Sequence, residues 1–241
     1  MSRYISGLRL DSLPRDSYLS HIGALTYLAT LPALTFTQPV TFFVGENGSG
    51  KSTLLEAIAI NAGFNPEGGS RDFSFSTKNT HSELHKHITT FKKNTPNDGF
   101  FLRAESFYNL ATFLDENSPL TRYGGVSFHE QSHGESFLNL ITHRCEGTGL
   151  YLLDEPEAAL SPTRQLGLLC AIDELVSCDS QFIIATHSPI LLAYPKATIL
   201  QFSEESIEKI DYRDTEHYRV TKLMLDDPEH TLHHLLHHDD D

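Results

Sequence analysis

The sequence is poor in three features that mark particular classes of protein. Only 3 of the 241 residues are cysteine, and Cys145, Cys170 and Cys178 lack the paired spacing of a metal site. Basic residues number 18 against 32 acidic ones, which argues against a general nucleic-acid binder, because such binding depends on Lys and Arg neutralising phosphates. No apolar run approaches the roughly 20 residues that span a bilayer. We therefore expect a cytoplasmic protein with reduced thiols, two of them in the core, and no membrane insertion.

Short apolar runs alternate with segments of helical composition along most of the chain. The patterns predict strands at Tyr4–Leu10, Ala33–Thr37, Val40–Val44, Phe100–Glu105, Leu150–Leu153 and Phe182–Ala185. They predict helices at Lys51–Ile60, near Ser82–Phe91, and at Ser106–Leu114, Ser132–Arg144 and Pro162–Ser177. An edge hairpin at Thr198–Phe202 and Ser206–Tyr212 precedes a tail, Glu216–Asp241, with a helix and an acidic, His-rich end. This order predicts an α/β fold with a mainly parallel sheet flanked by helices and an antiparallel edge.

A glycine loop joins the third predicted strand to the first strong helix. Its sequence fits the phosphate-binding pattern G-x-x-x-x-G-K-[ST], and the required strand and helix flank it. Glycines let successive N–H groups point at phosphate oxygens, Lys51 is expected to reach the β- and γ-phosphates, and Ser52 to ligate Mg²⁺. A plain glycine-rich turn is the alternative interpretation. The predicted binding residues for ATP are Gly45, Glu46, Asn47, Gly48, Ser49, Gly50, Lys51, Ser52 and Thr53.

Two acids follow the apolar run Leu150–Leu153. A buried strand that ends in carboxylates places them at the carboxyl edge of the sheet, where the glycine loop also lies. Asp154 is then predicted to hold the Mg²⁺ hydration shell, and Glu155 to polarise the attacking water. Taken alone, the same pattern could be a strand followed by an acidic helix cap.

Four segments occur in the order found in ABC ATPases: Gly45–Thr53, Ser132–Glu135, Asp154–Leu160 and Thr186–Pro189. The sequences of these segments most resemble the soluble, non-transporter branch, which includes RecF-like and chromosome-maintenance ATPases and small AAA-type bacterial ATPases. The resemblance implies a P-loop NTPase of ABC type over 1–241, with a helical signature-loop part inserted at about 61–145 and a C-terminal tail at 216–241. The interval from Lys51 to Ser132 is too short for a long coiled-coil arm.

The resemblance also implies a site shared between two subunits. Ser132, the backbone of Gly134 and the helix that Glu135 opens would contact the γ-phosphate held by the opposite subunit. His187 would bond the γ-phosphate and help to hold the attacking water, and Ser161 falls in the loop that crosses the interface. Because one chain has both halves of this composite site, the simplest expectation is a homodimer that closes around ATP.

Two positions depart from the pattern of transporter ATPases. The signature segment reads Ser-His-Gly-Glu rather than Ser-Gly-Gly-Gln, and the usual glutamine after the next strand is missing. Glu105 is the predicted stand-in for that glutamine, touching the Mg²⁺ waters. For the adenine base the sequence offers no strong aromatic partner. Arg9 or Arg15 could stack on it, and the base site stays open.

The leading hypothesis is an ATPase, with Glu155, His187 and Lys51 as catalytic residues, whose cycle drives or regulates an unknown effector protein or DNA. The resemblance points to DNA repair or phage defence as its setting. Two alternatives stay open: the ATP-binding subunit of an ABC transporter, and a non-hydrolysing module that senses nucleotide.

Overall fold

The computed structural model describes residues 4–14, 16–71, 81–117, 126–145 and 147–236. Its strands are β1 Ile5–Leu10, β2 Leu34–Thr35, β3 Val40–Gly45, β4 Ile88–Lys92, β5 Asp98–Arg103, β6 Gly149–Asp154, β7 Gln181–Ala185, β8 Ala197–Phe202 and β9 Ile207–Ile210. Its α-helices are α1 Gly23–Leu28, α2 Lys51–Ala62, α3 Phe107–Asn117, α4 His133–Arg144, α5 Pro162–Ser177, α6 Pro189–Leu192, α7 Glu216–Asp226 and α8 Pro228–Leu236.

A six-stranded sheet in the order β5-β6-β7-β3-β8-β9 forms the centre of the molecule. The pairs β5–β6, β6–β7, β7–β3 and β3–β8 are parallel, whereas β9 pairs antiparallel with β8 at the edge. The predicted α/β fold and the predicted edge hairpin are thus confirmed. Because β3, β6 and β7 are neighbours and run in the same direction, the segments that follow them meet at one edge of the sheet.

Alternate residues of the central strands pack into two separate cores, one on each face of the sheet. On one face Phe42, Tyr151 and Ile184 pack in a cluster with residues of α3, α4 and α5. On the other face Phe43 and Leu152 pack in a cluster with residues of α1, α2 and β1. Burial on both faces explains why these strands are apolar throughout rather than alternating.

A three-stranded antiparallel sheet, in the order β2-β1-β4, lies beside the core that contains α2. Gln181 of β7 ties it to the central sheet, since its buried Oε1 accepts the N–H groups of Tyr4 at 2.8 Å and Ile5 at 3.0 Å. Its Nε2 donates to the carbonyl of Ile5 at 2.8 Å. This side chain therefore replaces strand pairing where the two sheets meet.

The prediction of a helix near Ser82–Phe91 is wrong. Residues Glu83–Lys86 form one turn of 3₁₀ helix capped by the Ser82 side chain, and Ile88–Lys92 forms β4. Pairing of β4 with β1, for instance Leu10 opposite Ile88, decides the outcome. In the described part of the range 61–145, which was expected to be a helical insertion, β4 joins the small sheet and β5 joins the central sheet. The helices α3 and α4 then follow from Phe107 onward.

Two of the three cysteines are exposed, so the expectation of two core cysteines is wrong. All three are free thiols, and Cys170 and Cys178 face solvent. The buried stripe of α5 is Leu168, Ile172 and Leu175, and Cys170 lies off this stripe. Burial raises the pKa of the Cys145 thiol far above its usual range.

The tail forms two helices instead of one, because Pro228 opens α8 directly after α7 ends at Asp226. The acidic end from residue 237 lies outside the described residues. Across the described parts of the chain, no helix combines the length and the apolar character that crossing a bilayer requires.

Candidate functional site

The glycine loop between β3 and α2 has the backbone that its glycines allow. Gly45, Gly48 and Gly50 have φ values of +143°, +82° and +93°, a region in which side chains are strained. A Cβ at Gly45 would lie 2.2 Å from the carbonyl oxygen of Phe202. At Gly48, by contrast, nothing lies within 4 Å of the Cβ position. The loop thus packs on β8 at its start and leaves open space at its tip.

Lys51 is buried beneath this loop, with 4% of its surface exposed. Its Nζ donates to the carbonyl oxygens of Gly45 and Glu46, each at 2.8 Å. Burial lowers the pKa of the Lys51 ammonium, while the nearby carboxylates of Glu155 and Asp154 oppose that shift. The structure therefore holds one cation directly under the loop, as the motif predicts.

Ser52, at the start of α2, meets Asp154, at the end of β6. The Ser52 hydroxyl donates to Oδ1 of Asp154 at 2.8 Å. Burial raises the pKa of Asp154 to about 6, although the hydrogen bond from Ser52 and the charge of Arg103 act in the opposite direction. A hydroxyl and a carboxylate oxygen are ligands that Mg²⁺ prefers, so the residues present fit that ion.

Glu155 has a left-handed backbone, with φ of 50° and ψ of 51°. Such a conformation costs of order 1 kcal/mol for a non-glycine residue, and the hydrogen bond from its N–H to the carbonyl of Ala185, 2.9 Å long, fixes it. Its partly exposed carboxylate Oε1 lies 3.8 Å from Nε2 of His187. The strained turn therefore directs the second acid of the pair toward the segment that follows β7.

Glu157 fixes the position of that segment, a role that the sequence analysis missed. Its buried carboxylate accepts the hydroxyl of Thr186 at 2.7 Å and the backbone N–H of His187. Burial raises the pKa of Glu157, against the lowering effect of these hydrogen bonds. Only its place three residues after Asp154 in the matched motif could have drawn attention to it.

The His187 ring contacts a second histidine that the sequence analysis also missed. Nδ1 of His187 lies 2.9 Å from Nε2 of His217, a residue of α7, and the ring centroids are 5.0 Å apart. Thirty positions separate the two residues along the chain, and nothing in the local sequence around His217 marks it.

Arg103, two positions before Glu105, contacts Asp154, a role that the sequence analysis missed. Its guanidinium pairs with Glu56 at 2.8 Å and approaches Oδ2 of Asp154 to 3.5 Å. Glu105 is 86% exposed and lies 3.8 Å from the guanidinium, so it reaches the cluster only from outside. In the described structure Arg103 is thus the side chain of this segment in contact with Asp154. The parallel register, which sets Arg103 opposite Asp154, is the reason.

The signature segment lies at the start of α4, and its side chains bond to each other and to Arg164 of α5. The Ser132 hydroxyl donates to Glu135 at 2.8 Å in a capping box, and Arg164 donates to the same carboxylate at 2.7 Å. A Cβ on Gly134 would lie 2.6 Å from the carbonyl oxygen of Ala159, which explains the glycine. Ser132 and Glu135 are both exposed.

Ser161 caps α5 by accepting the N–H of Arg164 at 3.4 Å, and it is exposed.

A cleft of about 380 Å³ runs beside the glycine loop, and its other walls include His21, Ile22, Ser203 and Glu204. Arg9 does not line this cleft.

Arg9 instead pairs with Asp11 at 2.7 Å, on the small sheet. The suggestion that it stacks on adenine therefore has no support in the structure. Arg15, the other residue suggested, lies outside the described residues.

In the glycine loop Ser49 Oγ, and in the segment after β7 His187 Nε2, are buried without a hydrogen-bond partner among the described residues. Buried polar atoms are normally paired, and both of these belong to segments predicted to contact nucleotide. Together with the open loop and its buried cation, they fit a bound triphosphate.

Comparison with known proteins agrees with this geometry. A family model described as "AAA domain" matches residues 24–118, and one described as "AAA domain, putative AbiEii toxin, Type IV TA system" matches residues 119–193. None of the curated proteins matches the chain.

Among solved structures, the chain is similar to MJ1267, an ATP-binding cassette of an ABC transporter. The identity is 16%, the TM-score is 0.50, and the match covers 95% of this chain and 97% of the other. It is also similar to the SMC head domain from Thermotoga maritima, at 15% identity and a TM-score of 0.41, covering 74% and 92% of the two chains. A third similar structure is dimeric MJ0796, a bacterial ABC transporter cassette, at 16% identity and a TM-score of 0.44, covering 76% and 90%.

Proposed function

Since the chain has the fold of an ABC-type P-loop NTPase and matches AAA domain models, we propose that it binds and hydrolyses ATP. The observation that carries this proposal is the meeting of three segments at one edge of the sheet. The loop after β3 brings Lys51, the end of β6 brings Asp154 and Glu155, and the segment after β7 brings His187. These are the positively charged, metal-binding and water-orienting groups that phosphoryl transfer needs.

Each residue has a role that follows from its place. The loop N–H groups and Lys51 would bind the phosphates. Ser52 and Asp154 would hold Mg²⁺, and Glu105 is the proposed contact for its waters. Mg²⁺ supplies charge neutralisation on the phosphate oxygens when it is bound. Glu155 orients the attacking water and accepts its proton, and His187 donates a hydrogen bond to the γ-phosphate and helps to hold that water.

A second subunit completes the site in this proposal. Ser132 and Glu135 are exposed at the start of α4, and Gly134 between them is buried against Ala159. The side chains of Ser132 and Glu135 bond to each other and to Arg164 of α5. We propose that in a homodimer Ser132, Gly134 and Glu135 face the γ-phosphate bound by the partner. ATP then favours closure because the γ-phosphate adds contacts only in the closed state, and hydrolysis removes them.

We further place the chain, as a single ABC-type domain over 1–241, in the soluble and non-transporter branch. The Ser-His-Gly-Glu signature, the missing glutamine and the Glu-Ala-Ala-Leu sequence after Asp154-Glu-Pro support this placement. In it, the cytoplasmic dimer drives or regulates an effector protein or DNA, in DNA repair or phage defence.

Measurement of phosphate release tests the hydrolysis. Lys51→Ala should abolish nucleotide binding, and Glu155→Gln should bind ATP but turn over about a hundredfold more slowly, the usual contribution of a general base. The matched controls are Lys209→Ala and Glu208→Gln, on the exposed face of β9, and both should behave as wild type. If Glu155→Gln kept wild-type turnover, the base assignment would be wrong. If wild type bound ATP without turnover, the chain would be a nucleotide sensor.

A further inference from the structure

Two half-buried imidazoles meet next to the strained turn of Glu155. Nδ1 of His187 and Nε2 of His217 are 2.9 Å apart. Nitrogens at this distance have a single proton between them, since one ring must donate and the other accept. Burial lowers the pKa of both rings, which favours the neutral form of each. Two arrangements are possible: His217 donates to His187, or His187 donates to His217.

The outer nitrogens of the two rings distinguish these arrangements. His187 Nε2 and His217 Nδ1 are both buried and without a partner among the described residues. If His187 were the donor, its bare Nε2 lone pair would face the Glu155 carboxylate 3.8 Å away, and His217 would bury an unsatisfied N–H. If His217 is the donor, the N–H of His187 faces the carboxylate and His217 buries only a lone pair. Each arrangement leaves one outer N–H without a hydrogen bond. The second costs less, since it sets an N–H rather than a lone pair against the negative charge of Glu155.

The segment that carries His217 is held firmly in place. Thr215 is fully buried and caps α7: its Oγ1 accepts the N–H of Tyr218 at 3.2 Å and donates to the carbonyl of Tyr212 at 2.7 Å. The rings of Tyr212 and Tyr218 pack with centroids 4.8 Å apart. Because α7 begins at this cap, His217 in the first turn has a fixed backbone.

We propose that His217 is a positioning residue that holds His187 in the tautomer with its proton on Nε2. The proposal rests on the proposed function for its consequence: only this tautomer offers a donor to a phosphate oxygen or to the attacking water. In the nucleotide-free chain the same N–H is directed at Glu155. A residue of the C-terminal tail thus sets which form of His187 is available.

The tautomer is measured directly by NMR on nucleotide-free protein labelled with ¹⁵N-histidine. Long-range ¹H–¹⁵N correlations identify which ring nitrogen of each histidine is protonated, and His187→Gln assigns the His187 signals. Wild type should show His187 protonated at Nε2. In His217→Phe, which keeps a ring but removes the donor, His187 should become a mixture of both tautomers. His217→Gln, whose amide N–H replaces the donor, should restore the Nε2 form.

Turnover should follow the tautomer. His217→Phe should lower kcat about threefold to tenfold, the value of one hydrogen bond, with KM unchanged, and His217→Gln should recover most of the loss. His230→Phe is the matched control: His230 packs against His234 with ring centroids 4.5 Å apart on α8. It should change neither kcat nor the His187 tautomer.

A wild-type His187 protonated at Nδ1 would overturn the proposal, and so would His217→Phe with unchanged tautomer and kcat. If His217→Phe failed to fold, the wild-type tautomer and His217→Gln would still decide the question. Absence of ATP hydrolysis in wild type would instead contradict the proposed function, while the NMR result on nucleotide-free protein would stand.

Discussion

The ion pair between Arg103 and Glu56 offers a quantitative test of how the site is built. The guanidinium and carboxylate are 2.8 Å apart, and the two side chains are only 22% and 9% exposed. Arg103 is also 3.5 Å from Asp154. Arg103→Met keeps most of the side-chain volume but leaves two largely buried carboxylates without their cation.

Removal of one partner from a fully buried pair costs about 3–5 kcal/mol. Two features of the structure reduce this figure. Glu56 still accepts the N–H of Ser82 at 2.8 Å, and the guanidinium has some access to water. We therefore expect Arg103→Met to lower the free energy of unfolding by about 2–3 kcal/mol.

A double-mutant cycle with Glu56→Gln isolates the interaction. Because the glutamine side chain introduced by that substitution is neutral, Arg103→Met should cost less in its presence, with a coupling energy of about 1–2 kcal/mol. Urea unfolding followed by far-UV circular dichroism supplies the free energies, since the chain has no tryptophan. Arg9→Met is the control: Arg9 pairs with Asp11 at 2.7 Å, but the side chains are 52% and 40% exposed, so its cost should stay within about 0.5 kcal/mol. Equal costs for the two arginines, or additive costs in the cycle, would refute the reasoning.

Two further predictions concern the loop after β7 and the core. Glu157→Gln replaces the carboxylate that accepts the Thr186 hydroxyl and the His187 N–H by a neutral amide. The backbone amide hydrogen of His187 should then exchange with solvent about tenfold faster, and kcat should fall. Unchanged exchange would contradict the role of Glu157. Phe43→Ala removes a fully buried ring at a centroid distance of 5.0 Å from Phe202 and should cost about 3–5 kcal/mol of unfolding free energy. Tyr108→Ala, at a residue that is 62% exposed, should cost under about 0.5 kcal/mol; similar losses for both would show that Phe43 is not a core residue.

Local pattern was enough to predict the elements that build the site. The strands β3, β6 and β7 are buried on both faces, so their apolar runs are unambiguous, and α5 has the predicted bounds Pro162–Ser177. Its N-cap Ser161 and the proline after it mark the start clearly. The glycine loop and the acids after β6 follow from these strands, because parallel neighbours end at the same edge.

Elements that depend on long-range pairing could not be predicted in this way. The strand β4 pairs with β1, about 80 positions earlier in the chain, and its own segment has a polar pattern that also suits a helix. In the site, the contact between Arg103 and Asp154 was missed, since the sequence does not reveal the register of β5 against β6. His217 reaches His187 because α7 packs against α6. Nothing in the local sequence predicts this contact.

Light scattering on Glu155→Gln tests whether two chains close around ATP. With saturating MgATP this variant should have twice the 27.0 kDa mass of one chain, and it should return to a single chain when nucleotide is removed. Ser132→Arg in the same background should stay monomeric, because the added bulk would block the partner's nucleotide. If Glu155→Gln remained a monomer while binding ATP, the two-subunit site would be contradicted.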